Sequence, residues 1–274
     1  MNLGHNLRWY AVLAKDLLLK PTYRPREFWE RRHAQGHNFW TVGRRSFDEN
    51  GNRAWYDQLA QDLVTEFRAD GLDLHRLSVC EIGAGIGYWT RLVRDLGCQR
   101  YFGTEIAEPA VLWLRPQFPS YDFAVADAAE VPLPGTWDVI VMMHVDEHIH
   151  GERFLAALRH IKAAMTPTSR FFTTYRTEPT PSGLAYVEYH TREDFAAVFP
   201  SAWIKLVPRP HSGDPMLSIL GRARALASPP PPVVRDGVIV AAAGSRGVVG
   251  AKPKPCPGPP VRAAEPPRSY APNL

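Results

Sequence analysis

The chain has 274 residues, of which 45% are hydrophobic and 11% aromatic, and this is enough sequence for one α/β domain with additions. The formal net charge is +4, but residues 222–274 carry 8 Lys or Arg and 2 Asp or Glu, whereas residues 1–221 carry 24 basic and 26 acidic side chains. A body so close to neutral argues against a nucleic-acid-binding surface, because such a surface needs clustered positive charge.

The cysteines and the apolar segments bear on the compartment. Cys80, Cys98 and Cys256 are an odd number without paired spacing, so neither a disulfide framework nor a zinc site is predicted. Residues 1–20 lack a clean apolar core and a small-residue cleavage site, and the sequence has no apolar run of about 18 to 20 residues. We therefore expect a cytoplasmic protein with no secretion signal and no membrane span.

The predicted elements fall into three regions along the chain. Residues 1–70 are expected to form a helical N-terminal cap, in which residues 55–67 are amphipathic enough to pack on the next domain. Residues 71–225 alternate strand and helix as far as Tyr175, then give a helix start capped by Thr191 and two last strands, predicted at residues 203–207 and 216–220. The alternation indicates an α/β fold with seven strands.

The third region, residues 226–274, contains 12 of the 26 prolines and very few acids. Such a composition buries too little apolar surface to offset the entropy of ordering, so a disordered basic tail is predicted. Within it, residues 236–243 are the one candidate for a short strand.

A glycine-rich turn follows the first predicted strand and reads Glu81-x-Gly83-x-Gly85-x-Gly87. Glycine tolerates positive φ and has no Cβ, so the backbone can pass close beneath a bound small molecule. The dinucleotide fingerprint would require a glycine where Tyr88 stands. The turn indicates either a cofactor site of another kind or an ordinary tight turn.

Two acidic residues follow the next two predicted strands. Residues 100–106 form a strand that contains Glu105 near its end, 24 residues beyond Glu81, and the strand at residues 121–126 is followed by Asp127. A carboxylate at the end of such a strand can accept both ribose hydroxyls of an adenosine cofactor, although it can also be a solvated acid. The nearly all-apolar residues 137–145 predict a central parallel strand that is buried on both faces.

In their order and spacing, these four segments resemble the class I S-adenosylmethionine-dependent methyltransferases that act on small molecules. Residues 144–149, His-Val-Asp-Glu-His-Ile, resemble the Asp-Val-Leu-Glu-His-Ile that commonly follows the fourth strand, although His144 and Asp146 depart from it. Residues 28–32 and 52–56 are also similar to the leader of a bacterial subgroup whose aromatic N-terminal segment caps the cofactor.

The resemblance covers about residues 25 to 221 and implies a Rossmann-like, seven-stranded, mostly parallel sheet with helices on both faces. It also implies S-adenosyl-L-methionine as the cofactor, with the glycine turn beneath its methionine and ribose, Glu81 near its ammonium and Asp127 near the adenine amino group. The cofactor-binding residues expected on this basis are Tyr56, Glu81, Gly83, Gly85, Gly87, Glu105, Ile106, Asp127, Ala128 and His144.

His144 and His148 are the candidate catalytic residues. Imidazole has a pKa suited to removing a proton near neutral pH, which a hydroxyl acceptor would require. His144 can instead simply line the cofactor, and His148 can instead order its loop. A metal held by both histidines with Glu147 or His150 is not expected, since the His-Glu-x-x-His order is absent.

The expected function is transfer of a methyl group to an O or N atom of a small molecule, such as a sugar or a secondary metabolite. The alternatives are an RNA or protein methyltransferase and a non-catalytic binding module with the same fold. The Asn or Asp, Pro, Pro, aromatic motif of enzymes that methylate base amino groups is absent after the fourth strand. Relatives place acceptor-flanking residues at positions that here hold Tyr175, Tyr186, Tyr189, His190 and His211; neither the acceptor nor the oligomeric state follows from the fold.

Overall fold

The structure is a computed structural model that describes residues 23–177, 182–207, 212, 215–221, 233–235 and 238–240. The chain divides into two compact units, Met1–Arg224 and Ala225–Leu274.

Within the described residues 23–77, three helices precede the sheet: α1 (Pro25–His33), α2 (Phe39–Val42) and α3 (Glu49–Ala69). Proline at the first position of α1 suits the helical φ, and the carboxylate of Asp48 caps α3 by accepting a hydrogen bond from the backbone N–H of Gly51 at 2.7 Å. The predicted amphipathic stretch lies within α3, whose apolar face is buried in a hydrophobic cluster with residues of the sheet.

Seven strands form one sheet in the order β3-β2-β1-β4-β5-β7-β6, and β7 is antiparallel to both of its neighbours. This arrangement confirms the predicted mostly parallel sheet. The strands are β1 (Ser78–Ile82), β2 (Arg100–Glu105), β3 (Asp122–Val125), β4 (Trp137–Met142), β5 (Met165–Thr174), β6 (Ile204–Val207) and β7 (Met216–Leu220).

Helices cover both faces of the sheet, as predicted. Alternate residues of β4 enter different cores, because Val139 and Val141 join one buried cluster and Ile140 and Met142 join the other. The first cluster includes residues of α3, α4 and α5, and the second includes residues of α6 and α7. These helices are α4 (Tyr88–Asp95), α5 (Glu108–Gln117), α6 (Glu152–Ala163) and α7 (Arg192–Ala196).

The strand order reverses between β1 and β4, which are hydrogen-bonded neighbours. In open α/β sheets, ligands bind in the crevice beyond the carboxyl ends of the strands at this point. The predicted site residues follow β1, β2, β3 and β4, so the topology brings them to one edge.

The second unit contains two short antiparallel strands, β8 (Val233–Arg235) and β9 (Val238–Val240). The strand predicted within residues 236–243 overlaps β9, and most of the predicted disordered tail lies outside the described residues. In the parts of the chain that the structure describes, no helix combines the length and hydropathy needed to cross a membrane.

Candidate functional site

A cavity opens at the carboxyl ends of β1, β2 and β4, beneath α1. We call it the strand-end cavity, and we call the described segment before β1, residues 23–77, the leader. Most of the residues expected to bind a cofactor line it, together with both candidate catalytic histidines. They are Tyr56, Gly83, Gly85, Glu105, Ile106, Asp127, Ala128, His144 and His148.

The glycine turn forms the floor of this cavity. Gly83, Gly85 and Gly87 have φ values of 74°, 53° and 71°, in the left-handed region that favours glycine. A Cβ at Gly83 would overlap the side chain of Val145, which lies on the cavity wall. Gly87 does not line the cavity; it precedes α4 and packs against α5, where a Cβ would meet Leu114 and Phe118.

Glu105 is buried at the end of β2 with its carboxylate on the cavity wall. One carboxylate oxygen accepts the backbone N–H of Gly85 at 2.9 Å, and the other accepts the N–H of Ala107 at 3.1 Å. Burial raises the pKa of this carboxyl, while those backbone bonds favour its charged form. Because each carboxylate oxygen has further acceptor capacity, the anchored side chain can still bind two hydroxyls.

Glu81 lies beneath the glycine turn and is not among the residues that line the cavity. Its Oε2 accepts hydrogen bonds from Thr90 at 2.9 Å and from Tyr101 at 2.6 Å, within the buried layer between β1, α4 and β2. Burial raises the pKa of Glu81 to about 8. Its Oε1 is buried and has no hydrogen-bond partner among the described residues.

Asp127 is buried on the far side of the strand-end cavity and is paired with Arg153 of α6. Its two oxygens accept the N–H of Ala129 at 2.9 Å and the guanidinium of Arg153 at 2.5 Å. Arg153 also bonds Glu130 at 2.9 Å and lines the cavity itself. Sequence reasoning missed Arg153, because an arginine in the first turn of a helix resembles any solvated charge.

The leader closes the cavity from above with aromatic and imidazole rings. Trp29 and His33 of α1 and Tyr56 of α3 line it, and the Trp29 ring meets the His148 ring edge-on with centroids 4.8 Å apart. Burial lowers the pKa of His33 to about 3, so this imidazole is neutral in the folded protein near neutral pH. Residues of α1 and α3 therefore supply part of the cavity wall.

His144 follows β4 with φ 57°, the one non-glycine residue of the described chain with positive φ. Its backbone N–H bonds the hydroxyl oxygen of Thr174 at 3.0 Å, and Thr174 in turn bonds the buried carboxyl of Asp146. The ring lies against Trp55 with centroids 4.6 Å apart. Its Nε2 is buried and has no hydrogen-bond partner among the described residues. A left-handed conformation held by neighbours is typical of functional sites.

Glu147 lies between the two histidines, with carboxylate oxygens 3.9 Å from His144 Nδ1 and 3.9 Å from His148 Nε2. Burial opposes its charge, but the two imidazoles and Arg176 hold its pKa below the usual range. Burial lowers the pKa of His148, whose Nδ1 lies 2.8 Å from the backbone oxygen of Tyr186. Among the described residues, no group of three or more His, Cys, Asp or Glu side chains could hold a metal ion.

A second cavity lies beside the first and shares Trp29, Val42, His144 and His148 with it. We call it the arginine cavity, because its wall includes Arg32, Arg44, Arg45 and Arg176.

The residues predicted to flank an acceptor divide around the arginine cavity. Tyr186 and Tyr189 line it, whereas Tyr175 and His190 do not. His190 instead bonds the backbone oxygen of Ile149 at 2.8 Å and stacks on Phe154. His211 lies outside the described residues.

Comparison with known proteins identifies the family. A family model described as a methyltransferase domain matches residues 49–210, which is more than half of the chain. The protein belongs to this methyltransferase family. The family predicted from the four strand-end segments is thereby confirmed.

Solved structures share the methyltransferase fold at low sequence identity. Magnesium protoporphyrin IX methyltransferase from Synechocystis PCC 6803 with bound SAM is 19% identical, covering 71% of this chain and 89% of its own, with a TM-score of 0.50. The DhpI–SAH complex is 16% identical, covering 78% and 99%, with a TM-score of 0.54. The mitomycin 7-O-methyltransferase MmcR is 19% identical, covering 77% and 68%, with a TM-score of 0.51. No curated protein matches the sequence.

Proposed function

We propose that this methyltransferase is an S-adenosylmethionine-dependent enzyme of the cytoplasm that methylates an O or N atom of a small molecule. One observation carries the proposal: two adjoining cavities share His144, and the first of them is the crevice in which a sheet of this topology binds its ligand. The relatives described above include structures with bound SAM or SAH. The free, buried thiols of Cys80 and Cys98 agree with a reducing compartment.

The residues of the strand-end cavity fit the cofactor. Gly83 and Gly85 would lie beneath its methionine and ribose, and the anchored carboxylate of Glu105 would accept the ribose hydroxyls. Asp127 would face the adenine, with Arg153 fixing its orientation. Glu81 and Gly87 stand behind this wall, so we assign them to shaping the turn. When bound, the cofactor supplies a methyl group that its sulfonium has already activated.

His144 is the residue we assign to proton removal from the acceptor. Its Nε2 is buried with no hydrogen-bond partner among the described residues, and its ring lies at the boundary of the two cavities. Thr174 holds its backbone and Glu147 faces its Nδ1, so the ring orientation is fixed from two sides. A general base must reach the proton that it abstracts, so the assignment requires the acceptor to bind against the His144 ring, where the two cavities meet.

The walls of the cavities favour a small acceptor over a macromolecule. Trp29, Trp55 and Tyr56 separate the strand ends from solvent, and desolvated surroundings strengthen the polar contacts inside.

We also propose that the chain has three regions: a cap at residues 1–70, a catalytic domain at residues 71–225 and a tail at residues 226–274.

Calorimetry with S-adenosylhomocysteine, followed by incubation with methyl-labelled donor and pools of small-molecule acceptors, tests the proposal. We expect one binding event per chain and label in an organic product. Uptake of S-adenosylhomocysteine without turnover on any pool would favour a binding module. Label in RNA, with binding that weakens steeply as salt rises, would favour a nucleic-acid enzyme.

A further inference from the structure

Glu147 lines the arginine cavity and lies between two imidazoles that line both cavities. Its Oε2 lies 3.9 Å from His144 Nδ1, and its Oε1 lies 3.9 Å from His148 Nε2. Both distances are longer than a hydrogen bond. The carboxylate therefore keeps acceptor capacity that a ligand in the arginine cavity can use.

The hydrogen-bond partner of His148 decides which of its ring nitrogens carries a hydrogen. Its Nδ1 lies 2.8 Å from the backbone oxygen of Tyr186, and a carbonyl oxygen can only accept, so the hydrogen is on Nδ1. Burial lowers the pKa of this imidazole, so the ring is neutral near neutral pH and its Nε2 holds a lone pair. His148 Nε2 and Glu147 Oε1 are therefore two acceptors that face each other.

Glu147 is charged at neutral pH. Burial opposes its charge, but the two imidazoles and Arg176 hold the pKa of its carboxyl at about 2. A largely buried carboxylate that faces a lone pair is stabilised when a donor hydrogen lies between the two acceptors. Because the Glu147 side chain is 19% exposed, a ligand in the arginine cavity can supply that hydrogen. We call Glu147 Oε1 and His148 Nε2 the Glu147–His148 pair.

A neutral hydroxyl suits the Glu147–His148 pair better than an ammonium group does. Arg176 lines the same cavity, and its positive charge already contributes to the low pKa of Glu147. An ammonium group bound to Glu147 would be repelled by that guanidinium. A hydroxyl supplies the hydrogen without this repulsion.

We propose that the methyl acceptor is a vicinal diol, in which one hydroxyl receives the methyl group and the neighbouring hydroxyl binds the Glu147–His148 pair. This inference rests on the proposed function, since it takes His144 as the base for the first hydroxyl. Glu147 lies 3.9 Å from both imidazoles, so the two binding positions are close enough for hydroxyls on adjacent carbon atoms.

The two hydroxyls have different fates. The oxygen of the first hydroxyl bonds the methyl carbon as the carbon–sulfur bond of the donor breaks and leaves its electron pair on sulfur. The proton of that hydroxyl passes to His144 Nε2. The second hydroxyl keeps its proton and donates it as a hydrogen bond, so Glu147 determines specificity by binding the atom beside the one that is methylated.

Calorimetry on the full chain tests this with two matched sets of probes: catechol against phenol, and cis-1,2-cyclohexanediol against cyclohexanol. Each probe is titrated with and without saturating S-adenosylhomocysteine. We expect at least one diol to bind about tenfold more tightly than its counterpart with a single hydroxyl, since hydrogen bonds to charged groups are the stronger ones. The preferred diol distinguishes an aromatic acceptor from an aliphatic one.

Substitutions at Glu147 and His148 locate the second hydroxyl. Glu147→Gln keeps the shape of the side chain but loses its charge, so the preference for the diol should fall about tenfold. His148→Asn keeps an N–H for the backbone oxygen of Tyr186 but lacks an acceptor at the place of Nε2, so a fall of about threefold is expected.

In both variants, the affinities for S-adenosylhomocysteine and for the probe with a single hydroxyl should stay at their wild-type values. A general structural defect would weaken these ligands as well. Glu152→Gln, at the exposed first residue of α6, is the matched control and should behave as the wild type.

Three results would overturn the inference. The first is that neither diol binds more tightly than its counterpart. The second is an unchanged preference for the diol in Glu147→Gln. The third is that trans-2-aminocyclohexanol, a cation at neutral pH, binds more tightly than either diol, which would assign an ammonium group to Glu147. Failure of the proposed function has a different signature, because the chain would then take up no S-adenosylhomocysteine while the diol titrations without it remained readable.

Discussion

The strand-end cavity and the arginine cavity share His144 but are assembled in different ways. The strand-end cavity takes its polar groups from positions that follow consecutive strands, which the sheet topology brings to one edge. The arginine cavity joins residues 32, 44 and 45 of the leader with residue 176 and with residues between 182 and 189, all of which follow β5. On the proposed function, the sheet would position the cofactor, while segments outside the sheet would define the acceptor.

The largest expected effect lies at the boundary between the two cavities. His144→Asn should lower kcat by about 100- to 10,000-fold, the range typical of losing a general base. Asparagine tolerates the left-handed backbone of this position, so the fold should survive. The measurement is single-turnover transfer from labelled donor to the acceptor found by screening, beside calorimetry with S-adenosylhomocysteine. His75→Gln, at an exposed position, is the control. If His144→Asn weakened S-adenosylhomocysteine by as large a factor as it lowered kcat, that result would argue against a role of His144 in proton removal.

Glu105 tests the strand-end cavity alone. Glu105→Gln should weaken S-adenosylhomocysteine about 100-fold, because the amide loses the negative charge and replaces one acceptor oxygen with an NH2 group that faces a backbone N–H. Calorimetry measures this affinity, with Glu108→Gln at an exposed position of α5 as the control. If Glu105→Gln bound S-adenosylhomocysteine as tightly as the wild type does, the Glu105 carboxylate would not be part of the cofactor site.

A smaller effect is expected at the pair of Asp127 and Arg153. Asp127→Ala should weaken S-adenosylhomocysteine about tenfold, since one hydrogen bond to a charged group is lost. Arg153→Gln should weaken it about threefold, because Ala129 still orients the carboxylate and the Arg153 side chain is 41% exposed. A larger loss for Arg153→Gln than for Asp127→Ala would assign direct contact to the arginine instead.

The last prediction concerns stability instead of affinity: it is the pH dependence that His33, in the leader wall of the strand-end cavity, gives to unfolding. His33 has an ordinary pKa near 6.5 and a folded pKa lowered by burial to about 3. Between these values the unfolded chain binds a proton that the folded chain does not, so this contribution to stability is complete above pH 6.5 and declines as the pH falls. Through His33, the free energy of unfolding falls by about 2 kcal/mol between pH 6.5 and pH 5.

Urea unfolding at pH 7 and pH 5 measures this share. His33→Gln should lose less free energy of unfolding than the wild type over that interval, while His75→Gln should follow the wild type. An identical pH dependence in all three proteins would mean that His33 is not buried by the leader in solution.

The features that could be predicted from the sequence are those set by residues close together along the chain. The apolar residues of β4 and the carboxylates after β2 and β3 could be read directly, because strand ends of a parallel sheet converge. Glu81 stays a predicted neighbour of the cofactor ammonium; the hydrogen bonds of its Oε2 to Thr90 and Tyr101 could not be predicted, because they join three separate elements.

The contacts that sequence reasoning missed all join distant segments. Arg153 meets Asp127 across 26 residues, and Thr174 meets Asp146 across 28. The arginines of the second cavity have no common spacing, so no periodic pattern could group them before the leader and the segment after β5 were placed in space.

A crystal structure of the full chain with S-adenosylhomocysteine is the most direct test of how the two cavities divide the reaction. The account predicts ribose hydroxyls within hydrogen-bond distance of Glu105 and a sulfur that faces His144. Density for the ligand's carboxylate among Arg44, Arg45 and Arg176, or for the nucleoside away from Glu105, would contradict it.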